Sequence, residues 1–408
     1  MKNLSRNLLV AQSGGPTAVI NSSVAGIVEE ALQHAKIRGI YGAVNGILGV
    51  LREDLVDLRR EDPSTISKLR RTPSAALGSC RYKLSDRDYS RLYEVLTAHD
   101  IGYFICAGGN DSMDTAHKTA KLAAERKYDL KVMGVPKTVD NDLPVTDHCP
   151  GYGSVARFNA VATRDSSLDT DAIYTSDTIK IIETMGRDTG WITASTALAK
   201  ETEDSGPHLI YLPERPFIQD SFLKDVKEVY DRLGRVVLSV CEGLKNEKGE
   251  FVKASTKGID TDKFGHAQLG GVGDYLVNLI SEKLKIKARY DKPGTIQRVS
   301  MQCASQVDLN EAYSVGKAAL SKAIEGESDK MVTLVRKRNN PYSSDTGLVD
   351  LEKIALKTRK VPDEFINKNS NFVTKEFVDY VTPLIGGPLP EYARLRKEKL
   401  ERKLPPYT

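Results

Sequence analysis

The stretch Leu8-Leu9-Val10-Ala11-Gln12-Ser13-Gly14-Gly15-Pro16-Thr17 decides the fold. An apolar run of strand length stops at a pair of glycines, and residues 19–34 then carry the amphipathic spacing of a helix. The same order recurs along the chain. Residues 103–107 lead into Gly108-Gly109-Asn110-Asp111-Ser112 and a helical stretch to about Lys127, and residues 132–135 lead into Pro136-Lys137-Thr138-Val139-Asp140-Asn141-Asp142. Residues 179–182 lead into Glu183-Thr184-Met185-Gly186-Arg187 and a helical stretch from about Gly190 to Lys200, and residues 236–241 end at Glu242-Gly243. Strands alternating with helices predict an α/β chain with parallel sheets covered on both faces. In such sheets ligands bind beyond the carboxyl ends of the strands, which is where each of these unusual loops falls.

Working outward, 408 residues suit two domains of ordinary size. Hydrophobic residues at 40% and charged residues at 28% are a soluble globular balance, and no apolar run nears the roughly 18 residues of a membrane helix. Met1-Lys2-Asn3-Leu4 runs straight into the first apolar stretch, which predicts a strand rather than a signal peptide. Five cysteines, with no C-x-x-C pair, indicate neither a zinc site nor a disulfide framework; Cys106 and Cys241 lie in apolar runs and are expected in the core. A reducing, cytoplasmic compartment follows as the expectation. A net charge of +4 gives no argument for a nucleic-acid partner. A domain boundary is expected near Pro150-Gly151, a polar surface insertion over residues 245–262, and a solvated helix over 391–403. Gly270-Gly271-Val272-Gly273 follows a polar stretch, so a helix start is expected there rather than a dinucleotide turn.

The chemistry sits in the loops. Gly14-Gly15 and Gly108-Gly109 each let backbone approach a ligand and each precedes a helix N-terminus, whose free N–H groups attract phosphate. One such pair is a weak signal; two at strand ends favour an oligophosphate site. In the loop 136–142, two carboxylates beside a lysine and a threonine suit a general base next to bound phosphate, against the plainer reading of a solvated Asn/Asp turn. Arg187 is balanced between an anion clamp and a surface charge. Glu242 suits a sugar hydroxyl or a neighbouring base, and Arg289 and Arg298 are by themselves ordinary surface charges.

Laid in order, these segments resemble the phosphofructokinase family over roughly residues 7–335: Gly14-Gly15 with Asn21, Leu77-Gly78-Ser79-Cys80-Arg81, Gly108–Ser112, the loop 136–142, Met185-Gly186-Arg187, Glu242, Arg289 and Gly294-Thr295-Ile296-Gln297-Arg298. The resemblance implies two Rossmann-like three-layer domains with mostly parallel sheets and the active site in the cleft between them. Residues 1–150 with about 297–345 would bind the phosphoryl donor. Residues 151–296 with about 346–408 would bind fructose 6-phosphate and carry a C-terminal extension. The implied reaction moves a phosphoryl group to the 1-hydroxyl of fructose 6-phosphate, with Asp140 as the general base and Lys137, Thr138, Asp142 and Arg187 as further catalytic residues. Thr138, Asp140, Met185, Gly186, Arg187, Glu242, Arg289, Thr295 and Arg298 form the implied sugar-phosphate site. Guanidinium forks match its phosphate oxygens. Gly14, Gly15, Arg81, Gly109, Asp111 and Lys137 face the donor. Magnesium is the implied cofactor, and an arginine that crosses between subunits in the family implies at least a homodimer.

Two positions bear on the donor. ATP-using relatives carry glycine where this chain has Asp111 and Lys137, and both changes together resemble the pyrophosphate-dependent branch. The Asp111 carboxylate repels an α-phosphate, while the Lys137 ammonium offsets the charge of pyrophosphate beside a sugar phosphate. The chain also departs from the family pattern. Asn110 replaces the aspartate associated with magnesium, Thr178 replaces an arginine with Lys180 on the same strand face, and Thr295 replaces a sugar-contacting histidine or tyrosine. The alternatives are an ATP-dependent phosphofructokinase, disfavoured by Asp111 and Lys137, and a catalytically silent subunit or sugar-phosphate sensor, favoured by Asn110.

Overall fold

The computed structural model describes residues 5–252, 271–396 and 398–404. Strand β1 (Arg6–Gln12) is buried along nearly its whole length and apolar through Leu8–Ala11, because both of its faces are covered. Successive side chains point to opposite faces, so Leu8 and Val10 enter one core cluster and Leu9 and Ala11 another. The first cluster is completed by helices Ile20–Leu32 and Gln306–Glu325, the second by Asp86–Ala98 and Asn110–Glu125. Around β1 lie β2 (Ile37–Ala43), β3 (Leu55–Asp57), β4 (Ile101–Gly108) and β5 (Lys131–Pro136). A second group comprises β6 (Ile179–Thr184), β7 (Leu209–Tyr211), β8 (Val236–Cys241) and β9 (Ala288–Asp291), before the chain returns as β10 (Lys330–Asn339) and β11 (Tyr342–Asp350).

These form two sheets. The seven-stranded sheet has the order β11-β10-β5-β4-β1-β2-β3, parallel except at its two edge pairings, β10–β11 and β2–β3. The four-stranded sheet, β7-β8-β6-β9, is parallel throughout. Layers of helix cover both sheets, so the α/β architecture expected from the sequence is the one observed.

Two close contacts fix the layers. Helices Ile20–Leu32 and Gln306–Glu325 touch backbone to backbone: a Cβ on Gly26 would stand 2.3 Å from the Tyr313 carbonyl, and one on Gly316 2.1 Å from that of Ser23. Only hydrogen fits at either place. The helix Tyr152–Ile173 begins on the carboxylate of Asp308, which accepts from the Gly151 N–H (2.8 Å) and the Ser154 N–H (2.9 Å). A buried anion thus satisfies orphan donors at the positive end of the helix dipole.

The chain after β11 packs on the layer beside the four-stranded sheet, where Val361, Phe377 and Leu384 join Tyr152 and Trp191. Trp191 and Tyr380 lie 5.5 Å apart between ring centroids, and Phe365 and Phe377 5.7 Å. Beneath β10, buried His148 is held between Asp147 (2.8 Å) and Glu311 (2.7 Å). Burial opposes its charge, yet the two carboxylates lift it to about 9. Burial likewise opposes ionisation of Asp147, but His148 and Arg336 bring its carboxyl down to about 2.

Two local expectations change. The helical stretch expected over 190–200 is one α-turn, Trp191–Ser195, followed by the 3-10 turn Thr196–Ala199. The described residues of the segment 391–403 form no helix. The chain enters it extended through Pro388 and Pro390, and Arg157 and Arg164 occupy the carbonyls of Gly387, Pro388 and Pro390. Arg394 then pairs outward with Asp171 and Glu201, both at 3.2 Å, rather than within a helix of its own. Of the polar insertion, residues 253–262 lie outside the described residues, as does Gly270, while the helix Val272–Leu284 starts at Gly271 as expected. Cys106 and Cys241 are buried.

Candidate active site

Strands β5, β4 and β1 are neighbours, so the loops leaving their carboxyl ends lie side by side. Backbone bonds tie them together: the Ser13 N–H donates to the Ala107 carbonyl at 2.9 Å, and the Lys137 N–H to that of Gly108 at 3.1 Å. Beyond them is a cavity of about 370 Å³, within the range of small-ligand sites. Its wall on this side includes Gly14, Gly15, Arg81, Gly109, Asn110 and Asp111. The loop after β5 adds Lys137, Thr138, Asp140 and Asp142, and the loop after β6 adds Arg187, Asp188 and Thr189. The two sides touch where the Thr189 hydroxyl donates to the Asp140 carbonyl at 3.1 Å.

Gly14 is needed for two reasons. Its φ of +77° disfavours any side chain, and a Cβ there would sit 3.0 Å from Lys137 Nζ. That ammonium is buried and donates to the Gly15 carbonyl at 3.0 Å. Burial first, and then the Arg298 and Arg81 charges, bring Lys137 down to about 8, against the pull of Asp140 and Asp142. Asp140 moves the other way. Burial and the nearby carboxylates of Asp142 and Glu242 raise it to about 7, opposed by Lys137 and Arg187. Burial also raises Asp142. Lys137 and Asp140 therefore titrate near neutrality, a pairing suited to a proton acceptor beside a cation.

Thr138 turns the loop, accepting the Asp140 N–H on Oγ1 at 3.1 Å. Asn110, the first residue of the helix Asn110–Glu125, donates through Nδ2 to Asp142 Oδ2 at 3.0 Å. This leaves Asn110 Oδ1 and Asp142 Oδ1 buried with no hydrogen-bond partner among the described residues. Two orphan oxygens on residues joined at the N-terminus of this helix are hard ligands of the kind that magnesium takes.

The residues expected to hold the sugar phosphate lie at the carboxyl ends of β6 and β8 and on or after β9. The Met185 N–H donates to Gln297 Oε1 at 3.3 Å, Gly186 follows with φ +129°, and the Glu242 N–H binds the Thr184 carbonyl at 3.1 Å. Burial raises the Glu242 carboxyl. Thr295 starts the short helix Ile296–Val299, which brings Arg298 to Gly15, where a Cβ would meet its Nη1 at 3.0 Å. Met185, Gly186, Glu242, Thr295 and Arg298 are not among the cavity-lining residues, and neither is Arg289. It is largely exposed on β9 and paired with Asp177 at 2.9 Å. Lys180 is tied to Asp291 at 3.0 Å.

Sequence reasoning missed several residues. Lys292 bridges buried Glu183 (2.8 Å) to Glu242 (3.7 Å), yet its only signal was its place just before Pro293-Gly294. Ser13, Asp188 and Thr189 adjoin motifs and could have been named by position. Leu356 and Thr358 reach the cavity from the C-terminal segment, and nothing in their surroundings marks them.

A cleft that gathers glycine backbone, a buried lysine and paired carboxylates at the ends of parallel strands defines a phosphoryl-transfer enzyme. The phosphofructokinase (PFK) profile matches residues 7–322, and the chain belongs to that family. It is 42% identical over 414 residues to a pyrophosphate--fructose 6-phosphate 1-phosphotransferase of Xanthomonas campestris pv. campestris (strain B100), covering 98% of each chain. It is also 42% identical to the protein of the same name from Rhodospirillum rubrum, covering 97% of this chain and 98% of the other. The crystal structure of the pyrophosphate-dependent phosphofructokinase from Marinobacter aquaeolei superposes with a TM-score of 0.85 at 39% identity and 98% coverage of both chains.

Proposed function

We propose that this chain transfers a phosphoryl group reversibly from pyrophosphate to the 1-hydroxyl of fructose 6-phosphate, releasing phosphate and fructose 1,6-bisphosphate. The observation that carries the reading is the loop 137–142. It presents the buried Lys137 ammonium to the glycine backbone and the raised Asp140 carboxylate to the cleft. Asp140 takes the hydroxyl proton, the sugar oxygen bonds to phosphorus, and the anhydride bond breaks to free phosphate. Lys137, with Arg81 and Arg298 nearby, stabilises the charge that develops on the transferring and leaving oxygens. Asp111 stands in the first turn of the helix beyond Gly109, where its carboxylate excludes a donor that carries an α-phosphate.

Residues 1–150 with about 297–345 bind the donor in this reading, and residues 151–296 with about 346–408 hold the sugar phosphate. Thr138, Met185, Gly186, Arg187, Glu242 and Thr295 contact the sugar, and Arg289 and Arg298 its 6-phosphate. Arg289 leaves its Asp177 pairing to do so, within the chain or in a neighbouring copy of a homodimer. Asn110 Oδ1 and Asp142 Oδ1 would hold magnesium. Bound there, the ion neutralises phosphate charge. The compartment is the cytoplasm; no helix among the described residues is long and apolar enough to cross a membrane.

The test is fructose 1,6-bisphosphate formation by purified protein with magnesium and fructose 6-phosphate, with pyrophosphate or ATP as donor. Product with pyrophosphate alone is expected. Product with ATP alone overturns the donor assignment, and no product with either overturns the catalytic reading.

A further inference from the structure

The loop 141–147 follows directly on Asp140. Asn141 is buried in the left-handed region at φ +54°, a conformation that needs support from its surroundings. Part of that support comes from far along the chain. Arg359 Nε and Nη2 donate to the Asn141 carbonyl at 3.3 and 3.0 Å, and Nη1 donates to the carbonyls of Thr146 (2.6 Å) and Asp147 (2.7 Å). The Arg359 backbone N–H donates to the Asp142 carbonyl at 2.7 Å. One residue thus binds both ends of the loop.

The same residue is anchored on the other side of the cleft. Its guanidinium lies 4.7 Å from the centre of the Trp191 ring, and its carbonyl accepts from Trp191 Nε1 at 3.2 Å. Two residues on, the Val361 N–H donates to Glu214 Oε1 at 3.0 Å, the oxygen that also takes the Gly190 N–H. Leu356 and Thr358, just before it, line the cavity. Tyr380 adds a second hold, accepting from Asn141 Nδ2 at 3.0 Å and donating to the Asp147 carbonyl at 2.9 Å. The family profile ends at residue 322, short of Leu356, Thr358, Arg359, Val361 and Tyr380.

We propose that Arg359 is a positioning residue for phosphoryl transfer, holding the Asp140-to-Asp142 loop at its catalytic place against the Trp191 side of the cleft. It touches no substrate and acts through the loop carbonyls. The inference rests on the proposed role of Asp140 and adds a residue on which that role depends. A lysine cannot replace it, because one ammonium lacks the planar fork that serves three carbonyls at once.

The test compares Arg359→Lys, Arg359→Ala and Tyr380→Phe with the unaltered chain and with Asp140→Asn, using pyrophosphate, fructose 6-phosphate and magnesium. Arg359→Lys is expected to lower kcat about 10- to 100-fold with both KM values changed less than about threefold. Millimolar guanidinium should restore part of the kcat of Arg359→Ala, and Tyr380→Phe should show a smaller fall. Circular dichroism and thermal melts give the folded fraction of each variant. If Arg359→Ala does not fold, Arg359→Lys and Tyr380→Phe decide. The proposal is overturned if Arg359→Lys keeps kcat within twofold per folded molecule, or if the loss matches the loss of folded protein. Full activity in Asp140→Asn would instead overturn the base assignment, a separate outcome.

Discussion

Lys137 and Asp140 lie three positions apart on one loop, and each shapes the other's titration. As the proposed base, Asp140, raised by burial to about 7, must be ionised to accept a proton, so forward kcat/KM is expected to rise as pH climbs through about 7. Lys137, lowered by burial to about 8, must stay charged, so kcat/KM falls above about 8. A narrow bell in the pH profile of the forward reaction is expected; a flat plateau from pH 6 to 9 would contradict this pairing. Asp140→Asn should lower kcat by roughly 10²- to 10⁴-fold with little change in the KM for fructose 6-phosphate. Joint replacement of Asp111 and Lys137 by glycine should move the ratio of kcat/KM values for ATP and pyrophosphate toward ATP, measured with both donors on one preparation. These side chains were legible in the sequence because their motifs sit directly after apolar strands. Arg359 was not, because its partners are backbone carbonyls, which every residue carries and which leave no pattern in the sequence.

At the scale of elements, the strand ends and the helices that follow them were legible from periodicity. The segment 356–361 was not, since it has neither a repeat of its own nor a long apolar run. The charged stretch 391–403 misled in the opposite direction: its composition suits a helix, but it follows an extended lead-in at Pro388 and Pro390 whose carbonyls Arg157 and Arg164 hold, and its described residues form none. The ion cluster under β10 gives the element-scale prediction. His148 is held at about 9 in the folded chain, above its ordinary value near 6.5. Its stabilisation is therefore complete below about pH 6.5 and lost as pH rises through 9, on the order of 3 kcal/mol in all. Asp147, held near 2, contributes above its ordinary value of 3.8 and loses that contribution as pH falls toward 2. Denaturant melts from pH 6 to 10 should show this decline in the unaltered chain and a flatter one in His148→Gln, which should also be less stable near pH 6. Equal slopes in the two would remove His148 as the cause.

At the scale of the whole molecule, the two sheets are interleaved in the chain. The seven-stranded sheet takes residues from 6–136 and again from 330–350, with the four-stranded sheet between them. The cleft therefore depends on segments far apart in sequence, and a homodimer would add a further surface to it. Sedimentation equilibrium should give at least twice the 44.9 kDa of one chain, and a monomer at micromolar concentration would remove the neighbouring-copy role of Arg289. The late return of β10 to the outer edge of β5 also matters while the protein is being made. On the ribosome, β5 emerges early and must wait with one row of backbone donors and acceptors uncovered until residue 330 has left the exit tunnel. The nascent chain thus passes through an interval as an unfinished sheet, with an open edge on which neighbouring copies can pair.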